Sequence, residues 1–546
     1  MRVSEDELRQ LRCWSALLLL AGARLDAQAA ATVPASSALY DRLESVSAYF
    51  PVRGVFLGER PLSQRDVRRI VERLSAAIDS AQRRGAIERA GWARRELNLV
   101  TASLNETFGV HRAGRNVVAI ASRADASASD AQPVVIAPNG LGIIDAISHP
   151  FEPGRHGWPV GRGAGGIADL TGLLGFGSQV ALAVEPVFFG VNRVDSGQPD
   201  ARLHRVYGRG VWHNAALQIG AEELRWGQSP TMALFVSGNA APFPAIRVST
   251  DTSITLPWVL RFAGPVRATL FVADLGRAQD PPHTKLAGWL ASVQPSSRFE
   301  LGVSVLAQEG GNGAPPATFF KRAIDLFPII DALAPQHVDL QFSNKFAGGN
   351  LRVRVPELSG LDLYYELQFD DFDLRRLRSS FVDDAGQVVG ARLPLLVRNG
   401  QLAWRAEWVR TSLRLYEHTQ FRSGLTYRDR LIGSPLGPHA AAGAMSLTWQ
   451  PSPASQFAIE VGDERRDPSL YRSTATAPED SDFRLERVTD DPDVRRRRVV
   501  ALLERPSGPG AVRVTLGYNR RWTTGGPARS EWLGQVAFRS QLLRTF

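Results

Sequence analysis

The chain has 546 residues, a formal net charge of +9 and an isoelectric point near 10.1. A chain this long is expected to form two or more structural units rather than one small domain. Past its N-terminus it has no uninterrupted apolar run near the roughly 18–20 residues that a membrane-spanning helix needs, so a helical membrane protein is excluded.

The basic excess is almost entirely arginine, since the only lysines are Lys285, Lys321 and Lys345. Arginine favours planar, bidentate contacts with carboxylates and phosphates. One interpretation is therefore attraction to an acidic glycan or to lipopolysaccharide phosphates. The alternative is codon bias in a GC-rich genome. Nucleic acid is disfavoured as a partner because the chain carries an export signal.

That export signal lies at the N-terminus. An apolar stretch runs from Trp14 to Ala23, and small-residue cleavage sites follow it, which is the pattern of a signal peptide. We predict that residues 1–29 are a signal peptide; the alternative is a short buried helix. The only cysteine, Cys13, falls inside this segment. The mature chain then has neither a disulfide nor a thiolate metal site, and we predict no cofactor.

Residues 30–114 follow with a helical pattern. Tyr40, Leu43 and Val46 recur at helical spacing. Ser63 and Asp66 form a capping-box pattern just after a proline, which predicts the start of a second helix. We predict a small helical bundle that lies in the periplasm.

From about residue 115 the apolar period changes from 3.6 to 2. Apolar residues alternate with polar ones over 361–370, 401–410 and 511–521. Alternation of this length suits a strand with lipid on one face and a polar lumen on the other. A soluble β-sandwich gives similar alternation in shorter strands. We predict that residues 115–546 form a transmembrane antiparallel β-barrel of about 18 strands.

The connections favour a barrel because short and long ones alternate, as periplasmic turns and outer loops do. The short ones are 294–297, 356–360, 398–400, 450–455 and 505–510, and the long ones are 371–387, 411–442 and 465–493. This alternation requires residues 337–355 to be one strand. We predict a bulge at Gly348 and Gly349, where the apolar phase shifts.

The predicted last strand ends in an aromatic residue, Phe546. A terminal aromatic on an amphipathic final strand resembles the insertion signal of outer-membrane proteins. We therefore predict the barrel insertion machinery as a partner, together with outer-membrane lipid and lipopolysaccharide.

Residues 225–251 are the best candidate for ligand binding. This segment leaves the outer end of a predicted strand and mixes aromatic residues with Asn, Ser and Arg. Such a mixture suits sugar binding through ring stacking and hydrogen bonds. We predict ligand contacts by Arg225, Trp226, Asn239 and Arg247. The alternative is an inert plug folded into the lumen.

A second candidate is the basic run 495–498 at the outer end of a predicted strand. Lipid-facing arginine is costly at the bilayer midplane but cheap near the interface. We predict that Arg495 and Arg497 contact lipopolysaccharide phosphates. The alternative is a solvated strand end.

Catalytic motifs are sparse. The sequence shows no Walker loop, dinucleotide fingerprint, zinc-ligand cluster or nucleophile elbow. His204 and His213 could face the lumen with Glu222 and Glu223, which leaves an outer-membrane hydrolase as an alternative. We predict no catalytic residues and no metal site.

Several short segments, densest at 203–305, match a known pattern. They are Leu224-Arg225-Trp226-Gly227, Ser237-Gly238-Asn239-Ala240-Ala241-Pro242, Ile246-Arg247, Leu256-Pro257-Trp258, Ala287-Gly288-Trp289, Gln294-Pro295-Ser296, Phe299-Glu300-Leu301-Gly302, Tyr40-Asp41-Arg42-Leu43 and Arg60-Pro61-Leu62-Ser63. Through these residues the chain resembles the capsule assembly Wzi family. The resemblance implies an outer-membrane barrel with a periplasmic helical bundle, acting as a lectin that holds capsular polysaccharide at the cell surface without catalysis. A general diffusion porin is the alternative.

Overall fold

The computed structural model describes most of the chain. The described residues are 30–108, 117–132, 134–136, 146–151, 156–158, 162–176, 179–190, 200–318, 321–322, 326–327, 342–370, 381, 384–397, 401–452, 455–473, 485–507 and 510–545. The predicted signal peptide at 1–29, the predicted turn 398–400 and Phe546 lie outside them.

Within residues 30–108, the structure shows three helices: α1 at Leu39–Tyr49, α2 at Gln64–Arg83 and α3 at Ile87–Phe108. The capping pattern marks the start of α2, because the Ser63 hydroxyl accepts a hydrogen bond from the backbone N–H of Asp66. No helix among the described residues is long and apolar enough to cross a membrane. The buried apolar positions of α2 recur every three or four residues and are Val67, Ile70, Leu74 and Ile78.

Eighteen antiparallel strands close into a barrel, which confirms the predicted fold class. They are β1 (Val117–Ser129), β2 (Gly163–Phe176), β3 (Val180–Gly190), β4 (Asp200–Trp212), β5 (Ala215–Glu222), β6 (Phe243–Thr250), β7 (Pro265–Asp274), β8 (Lys285–Val293), β9 (Phe299–Glu309), β10 (Ser343–Val355), β11 (Leu361–Asp370), β12 (Ala385–Leu393), β13 (Leu402–Thr411), β14 (Ala440–Ser452), β15 (Ser455–Arg466), β16 (Val494–Ser507), β17 (Gly510–Thr523) and β18 (Arg529–Thr545). Each strand pairs with the next, and β18 pairs with β1, so no open strand edge faces lipid.

The two ends of the barrel differ in their connections. The predicted short turns 294–297 and 356–360 lie beside the helical part, where the Gln294 side chain binds the backbone of Gly54 and Val55. The predicted long connections at 411–442 and 465–493 lie at the opposite end. One outer connection, 524–528, is short. The short-turn end is therefore the periplasmic end.

The outward face of the wall is apolar. Leu363, Trp408 and Leu516 are exposed there by 40%, 44% and 59%. Trp404 and Val514 share the outward faces of their strands, since strand side chains alternate with a period of two. The polar residues between them face the lumen. This is the arrangement that the sequence alternation predicts for a barrel in lipid.

The predicted bulge in β10 is wrong, although the segment is one strand as predicted from Ser343 onward. Gly348 and Gly349 pair in unbroken register with β9 and with β11. The apolar phase shifts for another reason. Phe346 points into the lumen, where it is buried against Tyr416, because the lumen contains apolar protein at that height.

That apolar protein consists of two segments, residues 223–242 and 412–439, which we call the outer plug. Leu234 and Tyr416 lie in its core. The Tyr416 hydroxyl donates to the Leu234 carbonyl at 2.7 Å. The Ser237 hydroxyl donates to the Gly433 carbonyl at 2.6 Å. Each segment therefore holds the other in place inside the outer half of the barrel.

The helical part packs into the periplasmic half of the barrel. Its apolar core includes lumen-facing wall residues such as Ala181, Tyr207 and Val211. A short strand at Glu59–Arg60 pairs antiparallel with Arg225–Trp226 of the outer plug. The helices and the outer plug are thus hydrogen-bonded to each other within the lumen.

A short 3₁₀ helix, Trp258–Ala263, lies at the periplasmic rim between β6 and β7. None of its residues is buried. Trp258, Val259 and Phe262 are exposed by 90%, 77% and 77%. This apolar segment continues the outward apolar face of the wall beyond the strands.

Candidate functional site

Buried ion pairs join the helical part to the barrel wall. Arg267 of β7 donates to Glu59 at 3.0 Å and to Asp66 at 2.5 Å. Arg65 of α2 lies 3.4 Å from Asp251, which directly follows β6 in the wall. Buried pairs of this kind stabilise little relative to apolar packing, but loss of one partner leaves an uncompensated buried charge. They therefore fix the position of the helices in the lumen.

Glu44 of α1 lies at the centre of four arginines and is 1% exposed. Arg60 and Arg392 donate to its two oxygens, and guanidinium nitrogens of Arg352 and Arg225 lie 3.8 Å away. Burial alone would raise the pKa of Glu44. The four guanidiniums outweigh burial and hold that pKa well below its ordinary value.

Within this group, the guanidinium of Arg225 makes few hydrogen bonds. It is 3% exposed, and its Nη1 donates weakly to the Pro230 carbonyl at 3.4 Å. Its Nε and Nη2 have no hydrogen-bond partner among the described residues. Burial and the neighbouring Arg60 lower the pKa of Arg225, against the opposite effect of Glu44. Arg225 therefore retains unused donor capacity inside the lumen.

The other three predicted ligand residues are buried as well. Trp226 is 1% exposed and lies in the apolar core of the outer plug. Asn239 donates to the Leu431 carbonyl at 3.0 Å and so links the two plug segments. Arg247 faces the lumen from β6 and donates to Gln218 at 2.6 Å. All four residues are buried, and a direct glycan contact by them stays a prediction.

Arg495 and Arg497 lie on the outward face of β16 at its outer end. The Nε of Arg497 donates to Asp463 at 2.7 Å, and its guanidinium lies 5.4 Å from the Trp522 ring centroid. The two arginines that alternate with them face the lumen. The predicted pair is therefore directed toward the membrane side of the wall, and its contact with lipopolysaccharide stays a prediction.

The two histidines of the hydrolase alternative lie far apart. His204 is buried in β4, with its Nε2 3.8 Å from Glu223. His213 lies in the turn after β4, at the periplasmic end. Nine residues of extended chain separate them by about 30 Å. They do not form one catalytic group.

A cavity of about 540 Å³ lies between the helical part and the outer plug; we call it the lumen cavity. Its lining reaches Gln401 and Gln450 at the periplasmic end of the wall. At its outer end it meets Phe151 and Pro230. Nine of its lining residues are arginines and three are acidic.

One of these arginines, Arg539, has no ion-pair or hydrogen-bond partner in the part of the chain that the structure describes. Arg539 of β18 lies directly opposite Arg123 of β1 and is exposed to the cavity. Arg123 binds Asp125, and Arg513 of β17 binds Glu504 at 2.5 Å. No ion pair or hydrogen bond engages Arg539 among the described residues. Sequence reasoning missed it: alternation places it in the lumen, but its missing partner depends on neighbours distant in sequence.

These features define a membrane-spanning barrel whose lumen holds the helical part in its periplasmic half and the outer plug in its outer half. A model of the family described as capsule assembly protein Wzi matches residues 153–489. This match covers more than half of the chain, and the chain belongs to the Wzi family. It is an outer-membrane protein with its helical part on the periplasmic side.

Among solved structures, Wzi of Escherichia coli is similar to this chain. That protein is described as an outer-membrane protein involved in group 1 capsule assembly and as a carbohydrate-binding β-barrel. The two share 14% sequence identity and a TM-score of 0.65, over 93% of this chain and 99% of that one, which establishes a common fold.

A weaker similarity links the chain to OccD3 (OpdP) of Pseudomonas aeruginosa. The TM-score is 0.43 at 8% identity, over 78% of this chain and 91% of that one. A TM-score this low does not establish a shared fold. No curated protein matches the chain significantly.

Proposed function

We propose that this protein binds capsular or another surface polysaccharide at its outer face and anchors it there during capsule assembly, without catalysing a reaction. Membership of the Wzi family supports this function. So does the similarity in fold to the E. coli protein, which is described as carbohydrate-binding.

The observation that carries the proposal is the outer plug. Asn239 and Ser237 bind carbonyl groups of the second plug segment, and the plug core is apolar and buried. A plug built in this way gives the outer end a fixed surface instead of an open pore. Such a surface suits retention of a polymer better than passage of solutes.

The glycan would meet the exposed side chains of this surface. Arg422 and Arg428 project from the second plug segment into solvent, and guanidinium groups bind carboxylates in a bidentate manner. Arg225, Trp226, Asn239 and Arg247 remain ligand-binding candidates within the proposal. Being buried, they would act on the outer surface by holding the plug in position.

Lipopolysaccharide is the second partner in the proposal. Arg495 and Arg497 would contact its phosphates from the outward face of β16, with the Trp522 ring at the same level. The barrel insertion machinery would act on the last strand, β18. These contacts would hold the barrel in the outer membrane and leave its outer face free for the glycan.

The test is retention of capsule. Cells that lack the protein would be complemented with wild type, with R422A/R428A, or with R83A/R84A as a matched control. Arg83 and Arg84 are exposed on the periplasmic helical part. We expect wild type and control to retain acidic polysaccharide, and R422A/R428A to lose most of it. A glycan array with the purified protein would identify the sugar.

Conductance and turnover measurements separate the alternatives. A protein that binds no acidic polysaccharide but gives open-pore conductance in planar bilayers would be a diffusion porin. Glycan turnover that disappears in His204→Ala would indicate a hydrolase. Either result would overturn the proposal.

A further inference from the structure

We propose that the lumen cavity is a second binding site, entered from the periplasm, that takes an acidic saccharide with its anionic group at Arg539. This site is separate from the outer face and does not depend on the proposed anchoring function. The ligand class follows from the charges, the neutral polar groups and the size of the cavity.

The positive charges around Arg539 favour the binding of an anion. Like charges directly opposite each other on neighbouring strands are destabilising, and Arg539 faces Arg123 in this way. Arg123 and Arg513 already have carboxylate partners, whereas Arg539 has none among the described residues. A carboxylate or phosphate placed at Arg539 would relieve this repulsion and gain charge-assisted hydrogen bonds.

A second, independent feature of the cavity is Arg225. It lines the cavity and is 97% buried, with two guanidinium nitrogens that lack a partner among the described residues. A buried donor without an acceptor costs free energy. The free donors of Arg225 and the unpaired guanidinium of Arg539 among the described residues indicate a site whose hydrogen bonds are completed by a ligand.

The remaining lining favours a saccharide over a bare anion. Ser446, Thr448 and Gln450 of β14 and Gln456 of β15 line the same cavity. Hydroxyl and amide groups can both donate to and accept from sugar hydroxyls. The volume of about 540 Å³ falls within the roughly 300–1,000 Å³ range of small-molecule sites. A short acidic oligosaccharide therefore fits both the chemistry and the space.

The ligand would enter from the periplasm. The lining extends to Gln401 and Gln450, next to the short β12–β13 and β14–β15 connections at the periplasmic end. At the outer end, Phe151 packs against Leu533 of β18. The backbone N–H of His156 donates to the outer-plug carbonyl of Gly238 at 2.6 Å. Within the part of the chain that the structure describes, these contacts occupy the outer end of the cavity.

Isothermal titration calorimetry of the full chain in detergent tests the ligand. All variants also carry R422A/R428A, so that glycan binding at the outer face does not contribute to the measured heat. The probes are an oligosaccharide of glucuronic acid, a neutral glucose oligosaccharide and inorganic phosphate. Arg539→Gln is compared with Arg505→Gln, a matched control on the outward face of β16 near the same end.

We expect the acidic oligosaccharide to bind, the neutral one to bind far more weakly, and Arg539→Gln to weaken binding by about tenfold or more. The control should bind like its parent. Arg539→Gln should also be at least as heat-stable as its parent, because it removes the repulsion with Arg123. This result separates loss of a ligand contact from loss of structure.

Three results would overturn the inference: no binding of the acidic oligosaccharide, equal binding by Arg539→Gln, or inorganic phosphate binding as tightly as the oligosaccharide. The direction of entry has its own test. Thr448→Cys, in a Cys13→Ser background, should react with a membrane-impermeant thiol reagent only after the outer membrane is permeabilised. Labelling in intact cells would show entry from outside.

Discussion

At the scale of single residues, the lumen depends on arginines that share few carboxylates. Glu44 is the shared carboxylate partner of four arginines, Arg60, Arg392, Arg352 and Arg225. Each guanidinium left without a partner would cost free energy because it is buried. Loss of Glu44 therefore affects four buried charges at once.

Glu44→Gln is expected to lower the free energy of unfolding by about 3–5 kcal/mol, the usual cost of removing one partner from a buried ion pair. Urea unfolding followed by tryptophan fluorescence measures this change. Glu88→Gln, on the exposed face of α3, is the control and should change little. Equal stability of the two variants would mean that the arginines do not need Glu44.

The same carboxyl predicts a pH dependence. Its pKa is held below the ordinary value of 4.5, so its ionised form stabilises the folded state. That stabilisation is complete above the unfolded pKa and is lost as the pH falls through the lower, folded pKa. The stability gap between wild type and Glu44→Gln should be constant at neutral pH and narrow in acid. A gap that widens in acid would contradict the assignment.

At the scale of structural elements, the 3₁₀ helix Trp258–Ala263 extends the lipid-facing surface at the periplasmic rim. The double substitution W258S/F262S is expected to lower the free energy of unfolding in bilayers by about 3–6 kcal/mol, from roughly 1.5–3 kcal/mol for each large apolar side chain. Ile87→Ser is the control, because Ile87 is 67% exposed on α3, away from the wall. Similar effects in both variants would argue against lipid contact.

Sequence patterns predict the elements well because the signals are local. Ser63 caps α2, and Leu363 faces outward, as spacing alone indicates. Packing inside the lumen depends instead on contacts between residues far apart in the sequence. Phe346 breaks the polar pattern of the inner face because Tyr416, seventy residues further along the chain, packs against it, and sequence spacing alone suggested a bulge. Arg539 is unusual because no carboxylate among the described residues comes within ion-pair distance of it, although Glu504 and Asp125 lie close enough to interact with it electrostatically.

At the scale of the whole molecule, the helical part and the barrel should unfold together. Glu59 and Asp66 bind Arg267 of the wall, and Arg65 of α2 pairs with Asp251 after β6, so the helices cannot leave without exposing charges inside the lumen. Loss of the helical circular dichroism signal and loss of barrel tryptophan fluorescence should coincide in one transition. A helical signal that disappears first would show that the two parts are independent.

The pairing of Glu59–Arg60 with Arg225–Trp226 has a mechanical consequence. These two short strands belong to the periplasmic and the outer halves of the molecule, and their hydrogen bonds connect the halves along the barrel axis. Tension on a polymer held outside would pass down this connection to the helices, and the surrounding wall need not deform. A pulling force on the outer plug would then be transmitted to the helical part on the periplasmic side.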